Sequence, residues 1–244
     1  MSSKQRKIWI TSRVNRLAIF LAIAIVASVI ATFGGGGSSV SARETIAANK
    51  SGSLKSLLAH LQSHYQETDS FSAAFKQTIT RVGAPPKERT GTVYYQKPGR
   101  VRFEFGDPQP ETIVSDGNLL YDYDPGLNQV METPLKNAIK TQAAAAFLLG
   151  VGNVQRDFKA KRPASQSNDD LNHVLLTPRN GGDDIEIGLD PHTMNIMSLR
   201  LADALGNVTE LHFNDIQTNI PIEASRFEFK APDGVDVVTA SGAR

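Results

Sequence analysis

Gly91-Thr92-Val93-Tyr94-Tyr95-Gln96, then Lys97-Pro98-Gly99-Arg100, then Val101-Arg102-Phe103-Glu104-Phe105: residues 91–105 decide the fold. The last five alternate, with Val101, Phe103 and Phe105 on one side and Arg102 and Glu104 on the other, the period of a strand with one buried face. Before them lies a β-branched and aromatic run, which suits a pleated surface. Lys97-Pro98-Gly99-Arg100 between the two runs reads as a turn. Two strands joined by a turn bury nothing alone, so more sheet and a cover are required.

Outward from this hairpin the pattern repeats. Thr112 to Ser115 and Leu119 to Tyr123 flank Asp116-Gly117, a strong hairpin signal. Asp124-Pro125-Gly126 ends that strand and Gln129-Val130-Met131 begins another. Upstream, Gly83-Ala84-Pro85-Pro86 is a loop, preceded by a strand with Phe71, Ala73 and Phe75 that could begin as helix. Leu54, Leu57, Leu58, Leu61 and Tyr65 form one stripe at helical spacing, with Ser53 as the expected cap. Further on, Thr141 is placed to cap a helix from Gln142 to Leu149 ending Phe147-Leu148-Leu149, and Val154 to Phe158 reads as a short helix or turn. After the polar loop Pro163 to Asp170, strands are expected at His173–Thr177, Ile185–Leu189, Met194–Ala202 and Val208–Ile216. The tail from Phe227 to Val237 allows a short final strand. The expected class is α+β: a single curved antiparallel sheet, one long meander of about ten or eleven strands that must curl or close, covered by short helices.

The N-terminus has its own logic. Lys4, Arg6, Lys7, Arg13 and Arg16 precede an apolar run from Leu17, and Gly34–Gly37 and Val40-Ser41-Ala42 follow. Basic, apolar and small-residue regions in that order make a cleavable secretory signal, expected at residues 1–42, with a domain at 43–244. The alternative is a retained anchor, because Leu17 to Phe33 comes near the ~17–25 residues that span a bilayer. Removing five of the 26 basic residues leaves 21 against 25 acidic ones, a mildly acidic domain that argues against a nucleic-acid partner. With no cysteine, disulfides, thiolate metal sites and lipid attachment at an N-terminal cysteine are excluded, so a cut product is expected to be soluble.

Chemistry is sparse. His60 and His64 stand at i, i+4, a metal-ligand spacing without a third ligand, and a solvated helix flank accounts for them. Asp122 with Asp124, and Asp183-Asp184 with Glu186, suit turns and strand edges as well as acid–base or Ca²⁺ roles. No nucleophile elbow, phosphate loop or dinucleotide fingerprint occurs, so no enzyme, metal or cofactor is expected.

Several stretches together resemble the LolA family of periplasmic outer-membrane lipoprotein carriers. They are Phe71-Ser72-Ala73-Ala74-Phe75-Lys76-Gln77, Gly91 through Phe105, Ile113-Val114-Ser115-Asp116-Gly117, Tyr121-Asp122-Tyr123-Asp124-Pro125, Gln129, Pro134-Leu135 and Phe227 through Val235. The resemblance implies an unclosed β-barrel with helices over its mouth and an apolar cavity for acyl chains. Leu54, Leu57, Leu58, Leu61, Phe71, Phe75, Val101, Phe103, Phe105, Phe147 and Leu148 would line that cavity. By pattern alone the same residues serve equally as the core of a plugged barrel. Lys97, with Arg100, would form a lid latch. The family commonly has Arg at the position of Lys97, and Lys offers a point charge rather than a planar fork of donors, with Arg102 also near. Implied partners are acylated lipoproteins, an ATP-driven inner-membrane transporter that releases them and an outer-membrane receptor, with the carrier a periplasmic monomer. A lipid-binding sensor or a glycolipid carrier on the same fold is the alternative.

Overall fold

The computed structural model describes residues 45–140, 153–164 and 168–239. The alternation at 101–105 becomes β3 (Arg100–Phe105), in which Val101, Phe103 and Phe105 are buried and the intervening residues are not. Its neighbours are β2 (Lys87–Gln96) and β4 (Glu111–Asp116). Around them run α1 (Thr45–Glu67), β1 (Ser70–Thr80), β5 (Leu119–Asp124), β6 (Gln129–Pro134), α2 (Leu135–Lys140), α3 (Val154–Asp157) and β7 (Phe158–Lys161). The remainder are β8 (Asn172–Pro178), β9 (Asp184–Leu189), β10 (Ile196–Ala202), β11 (Val208–Thr218) and β12 (Asp236–Thr239).

All twelve strands form one sheet in the order β12-β6-β5-β4-β3-β2-β1-β11-β10-β9-β8-β7. The single long meander expected from sequence is instead two, β1–β6 and β7–β11, joined where β1 pairs with β11 from Phe71↔Thr218 to Thr80↔Val208. β6 and β7 lie near opposite margins, because helical segments rather than a tight turn separate them. Every pairing is antiparallel except β12 on β6, and among the described residues β12 and β7 are the two margins of the sheet, which is curled and unclosed.

Three boundaries differ from expectation. α1 begins at Thr45, so Ser53 lies inside it rather than capping it; Ala47, Ala48 and Lys50, good helix formers, carry the helix upstream. α2 was not foreseen, and the helix expected at Gln142–Leu149 lies outside the described residues. α3 lasts one turn, capped by Asn153 accepting from Gln155 and Arg156 N–H, so Phe158 opens β7 instead of closing a helix.

One core fills the concave side. Leu58, Leu61 and Tyr65 of α1 meet Phe71, Phe75, Val93, Tyr95, Val101, Phe103 and Phe105 from the first meander and Leu199, Leu211 and Phe213 from the second. Gly91 makes this packing possible: a Cβ there would run into the Glu104 carbonyl and lie 2.7 Å from Phe75 Cζ. The Phe75 ring then packs edge-on against Phe103 and Phe105, with centroids 5.6 and 5.0 Å away.

The convex side carries a strap. From the end of β11 the chain crosses the sheet to reach β12, beyond β6. On the way the Arg226 guanidinium stacks 4.1 Å over the Tyr94 ring and the Arg226 carbonyl accepts from Arg102 Nη1 at 3.2 Å. Phe227 is buried, and Phe229 lies 5.2 and 5.8 Å from the Tyr121 and Tyr123 rings. Val114, which the register places on this outer face between Arg102 and Tyr121, is consequently fully buried.

Candidate functional site

The candidate site is the barrel interior together with the end of α1, which packs over it. Leu58 and Leu61 are buried, Leu54 and Leu57 are half-buried against the core, and Phe71, Phe75, Val101, Phe103 and Phe105 face them from the sheet. Phe147 and Leu148 lie outside the described residues. At one point along the seam a pocket remains between α1 and the sheet, lined by Tyr65, Thr68, Phe71, Asn195, Ile196 and Phe213. Its volume is about 20 Å³, room for a water and far less than an acyl chain needs. Around this point the apolar side chains of α1 and of the sheet bury one another.

α1 is held at its C-terminal end by polar bonds. The last carbonyls of a helix lack intrahelical partners. Here Lys97 Nζ donates to the Gln66 carbonyl at 2.8 Å and reaches Asp69 Oδ1 at 3.3 Å. Asn219 Nδ2 donates to the Glu67 carbonyl at 3.2 Å, and Thr68 Oγ1 to the His64 carbonyl at 2.9 Å. Lys97 is placed for this by the β2–β3 turn, where its own N–H bonds the Asp69 carbonyl at 2.9 Å. Its charge also complements the negative end of the helix dipole. Arg100 does not reach α1: its Nη1 donates to Gln96 Oε1 at 3.3 Å along the sheet. Arg102 points to the convex side, onto Glu104 at 2.6 Å and the strap.

Further fastenings run along the helix. Tyr65 OH accepts from Ile196 N–H at 3.0 Å, and burial pushes that phenol well above its ordinary pKa. His64 Nε2 lies 2.9 Å from Asn195 Oδ1, and Gln62 Oε1 accepts from Val154 N–H at 3.0 Å. Sequence reading missed Asn219, Asn195 and Gln62. Only Asn219 carried a signal, an Asn shortly before a Pro that marks a turn, and the structure gives it the left-handed conformation.

Among the described residues no group of His, Asp and Glu side chains could hold a metal ion. His60 is exposed, and His64 is engaged with Asn195. Asp124 accepts from Leu127 N–H at 3.1 Å, a turn role, whereas Asp122 is buried on the inner face of β5. Burial, then Asp203 and Asp184, raise the Asp183 carboxyl above its usual range.

The profile of the family described as "Outer membrane lipoprotein carrier protein LolA" matches residues 66–230. The "Outer-membrane lipoprotein carrier protein" of Dechloromonas aromatica is 31% identical over 193 residues, covering 76% of this chain and 91% of that relative. The protein of the same description from Chromohalobacter salexigens is 32% identical over 195 residues, 79% of this chain and 90% of its own. A solved LolA superfamily protein from Nitrosomonas europaea aligns over 72% of this chain and 97% of its own, with a TM-score of 0.43 and 15% identity. This chain belongs to the LolA family of outer membrane lipoprotein carrier proteins.

Proposed function

We propose that this protein is a periplasmic carrier that accepts acylated lipoproteins at the inner membrane and delivers them to the outer membrane, with the acyl chains held in the barrel interior beneath α1. The carrying observation is an apolar helix face, Leu58, Leu61 and Tyr65, buried on an apolar barrel but fastened at its end by bonds that water can replace, Lys97 Nζ to the Gln66 carbonyl among them. A helix anchored through apolar packing in the middle and polar bonds at one end can be exchanged for a chain of the same polarity. Each methylene buried is worth ~0.8 kcal/mol, so one sixteen-carbon chain brings about 12 kcal/mol before costs. Re-exposing the α1 face opposes that gain and lets the cargo leave without a nucleotide.

In this reading residues 1–42 are a signal removed near Ala42, residues 43–244 shuttle as a monomer, and Lys97 is the lid latch. Cargo is taken from an ATP-driven inner-membrane transporter and passed to an outer-membrane receptor. Mass spectrometry of ligand bound to the exported protein tests the reading, alongside release of acylated protein from inner-membrane vesicles. Acylated polypeptide on the protein and in the released fraction is expected. Free glycolipid alone, or no release, would overturn it.

A further inference from the structure

The barrel interior is not apolar throughout. Gln77, on the inner face of β1 two residues beyond Phe75, is fully buried, and neither its Oε1 nor its Nε2 has a hydrogen-bond partner. A buried amide without partners is costly, and such groups in folded proteins call for an explanation. The register places Gln77 between Leu211 of β11 and Arg89 of β2. Arg89 is itself almost buried: its Nη2 bonds Glu111 Oε2 at 2.6 Å and the Gln109 carbonyl at 3.2 Å, and its guanidinium lies 3.8 Å over the Phe105 ring. Directly outside Arg89 a pocket of about 420 Å³ opens between the β1–β2 loop and the β3–β4 loop, with Ile79, Lys87, Pro108 and Gln109 in its wall.

Polarity is therefore graded along the inner face of β1. Phe71, Ala73 and Phe75 are apolar, Gln77 offers an amide NH₂ and a carbonyl oxygen, Arg89 paired with Glu111 lies beside it, and beyond it Ile79 leads to an open pocket. An acylated molecule has the same gradient: hydrocarbon, then an ester or amide linkage, then a polar remainder. An ester or amide carbonyl accepts from an Nε2 donor, and an amide N–H also donates to an Oε1 acceptor.

Resting on the carrier reading, we propose that Gln77 is a specificity-determining residue that binds the ester or amide linkage of the acyl cargo. The chain lies along Phe75 and Phe71 beneath α1, and the polar remainder emerges through the pocket beside Arg89. Cargo thus sits in one direction, linkage at the β1–β2 end and methyl end towards Lys97. From Gln77 to Phe71 is six residues of strand, about 20 Å at ~3.3 Å per residue, a length suited to an extended acyl chain.

The test compares two probes on the exported protein, a dansyl-labelled palmitoyl amide and a dansyl-labelled hexadecyl ether that lacks the carbonyl. The unaltered protein should bind the amide about tenfold more tightly, the worth of a hydrogen bond made in an apolar site, and Gln77→Leu should bind both equally. A preference that persists in Gln77→Leu, or no preference in the unaltered protein, overturns the proposal. If neither probe binds the unaltered protein, the carrier reading fails and this inference falls with it. Should Gln77→Leu not fold, the side-chain amide signals of Gln77 in the NMR spectrum of the unaltered protein decide. They should move with the palmitoyl amide and not with the ether, and their standing still for both would overturn the assignment.

Discussion

Replacing Lys97 by Leu isolates the proposed latch. The substitution keeps the aliphatic bulk beside the β2–β3 turn and removes one charged donor from the Gln66 carbonyl, 2.8 Å away. Hydrogen bonds to charged groups are worth about 1.5–3 kcal/mol net. The accompanying contact to Asp69, whose side chain is 85% exposed, adds little, as surface pairs do. Thr68 and Asn219 continue to cap the neighbouring carbonyls, so the helix end is loosened rather than freed. A loss of about 2 kcal/mol from the closed state raises the population with α1 displaced about 30-fold. Hydrogen exchange read residue by residue should then speed up about 30-fold in the amides of α1 while those of β1–β4 hold steady. Affinity for an acyl probe should rise by up to the same factor, because closure competes with loading, and release should slow accordingly. Lys97→Arg should behave as the unaltered protein, since its fork still reaches the carbonyl. Unchanged α1 exchange in Lys97→Leu would show that Lys97 is only a turn residue and refute the latch.

Three other outcomes are expected. Gly91→Ala sets a Cβ into the Glu104 carbonyl and the Phe75 ring, so it should lower stability by about 3 kcal/mol or prevent folding, read from the urea midpoint. Phe229→Ala releases the strap from Tyr121 and Tyr123 and should cost about 2 kcal/mol in the same measurement without quickening α1 exchange. In acid, the carboxyls of Asp157, Asp190 and Asp203 are held below their usual range, the first by the Arg156 guanidinium, the second by the Thr193 and His192 N–H groups and the third by Asn207. Depressed carboxyls contribute stability present above their unfolded pKa near 4 and lost as pH falls through their folded values. A thermal midpoint that rises on acidification below about pH 4 would contradict this, and Asp183, which is raised, should make the only opposing contribution among these four.

The strands were legible because their signals are local. Alternation at Val101 to Phe105 and Asp116-Gly117 between two β-rich runs need no knowledge of the rest of the chain. Pairing β1 with β11 was not legible: no local residue specifies which distant strand Phe71 to Thr80 will join. β12 was only partly legible, since four residues with Val237 and Val238 carry a weak signal and a parallel partner cannot be read from a turn. At the site, the stripe from Leu54 to Tyr65 identified the buried face of α1, and Lys97 was found through resemblance alone. Asn219, which caps the helix end, and Asn195, which meets the His64 ring, escaped because a residue that bonds a helix from a distant element carries no mark of that partner in sequence. Gln77 was quoted only as part of a resembling stretch, because burial of a polar side chain in a strand is a property of its neighbours.

On the proposed function α1 moves while the fold stays intact, and the arrangement of fastenings suits this. The strap secures the convex face through Arg226, Phe227 and Phe229, and the β1–β11 ladder joins the two halves of the sheet; of these only Asn219, at the start of the strap, bonds α1. On the proposed function, displacing α1 would re-expose Leu58, Leu61 and Tyr65, at roughly 2 kcal/mol each, and would break the bond of Lys97 together with those of Asn219, Tyr65, His64 and Gln62. One sixteen-carbon chain returns about 12 kcal/mol, from which association removes at least ~4 kcal/mol. The gain from one chain and the cost of moving α1 would then be of the same order, and a second chain or a bond to Gln77 would favour the bound state. On the proposed function, a carrier balanced in this way would hold its cargo through water yet yield it to a receptor whose cavity stands open without a helix to displace, and the cost of moving α1 would set the direction of transfer.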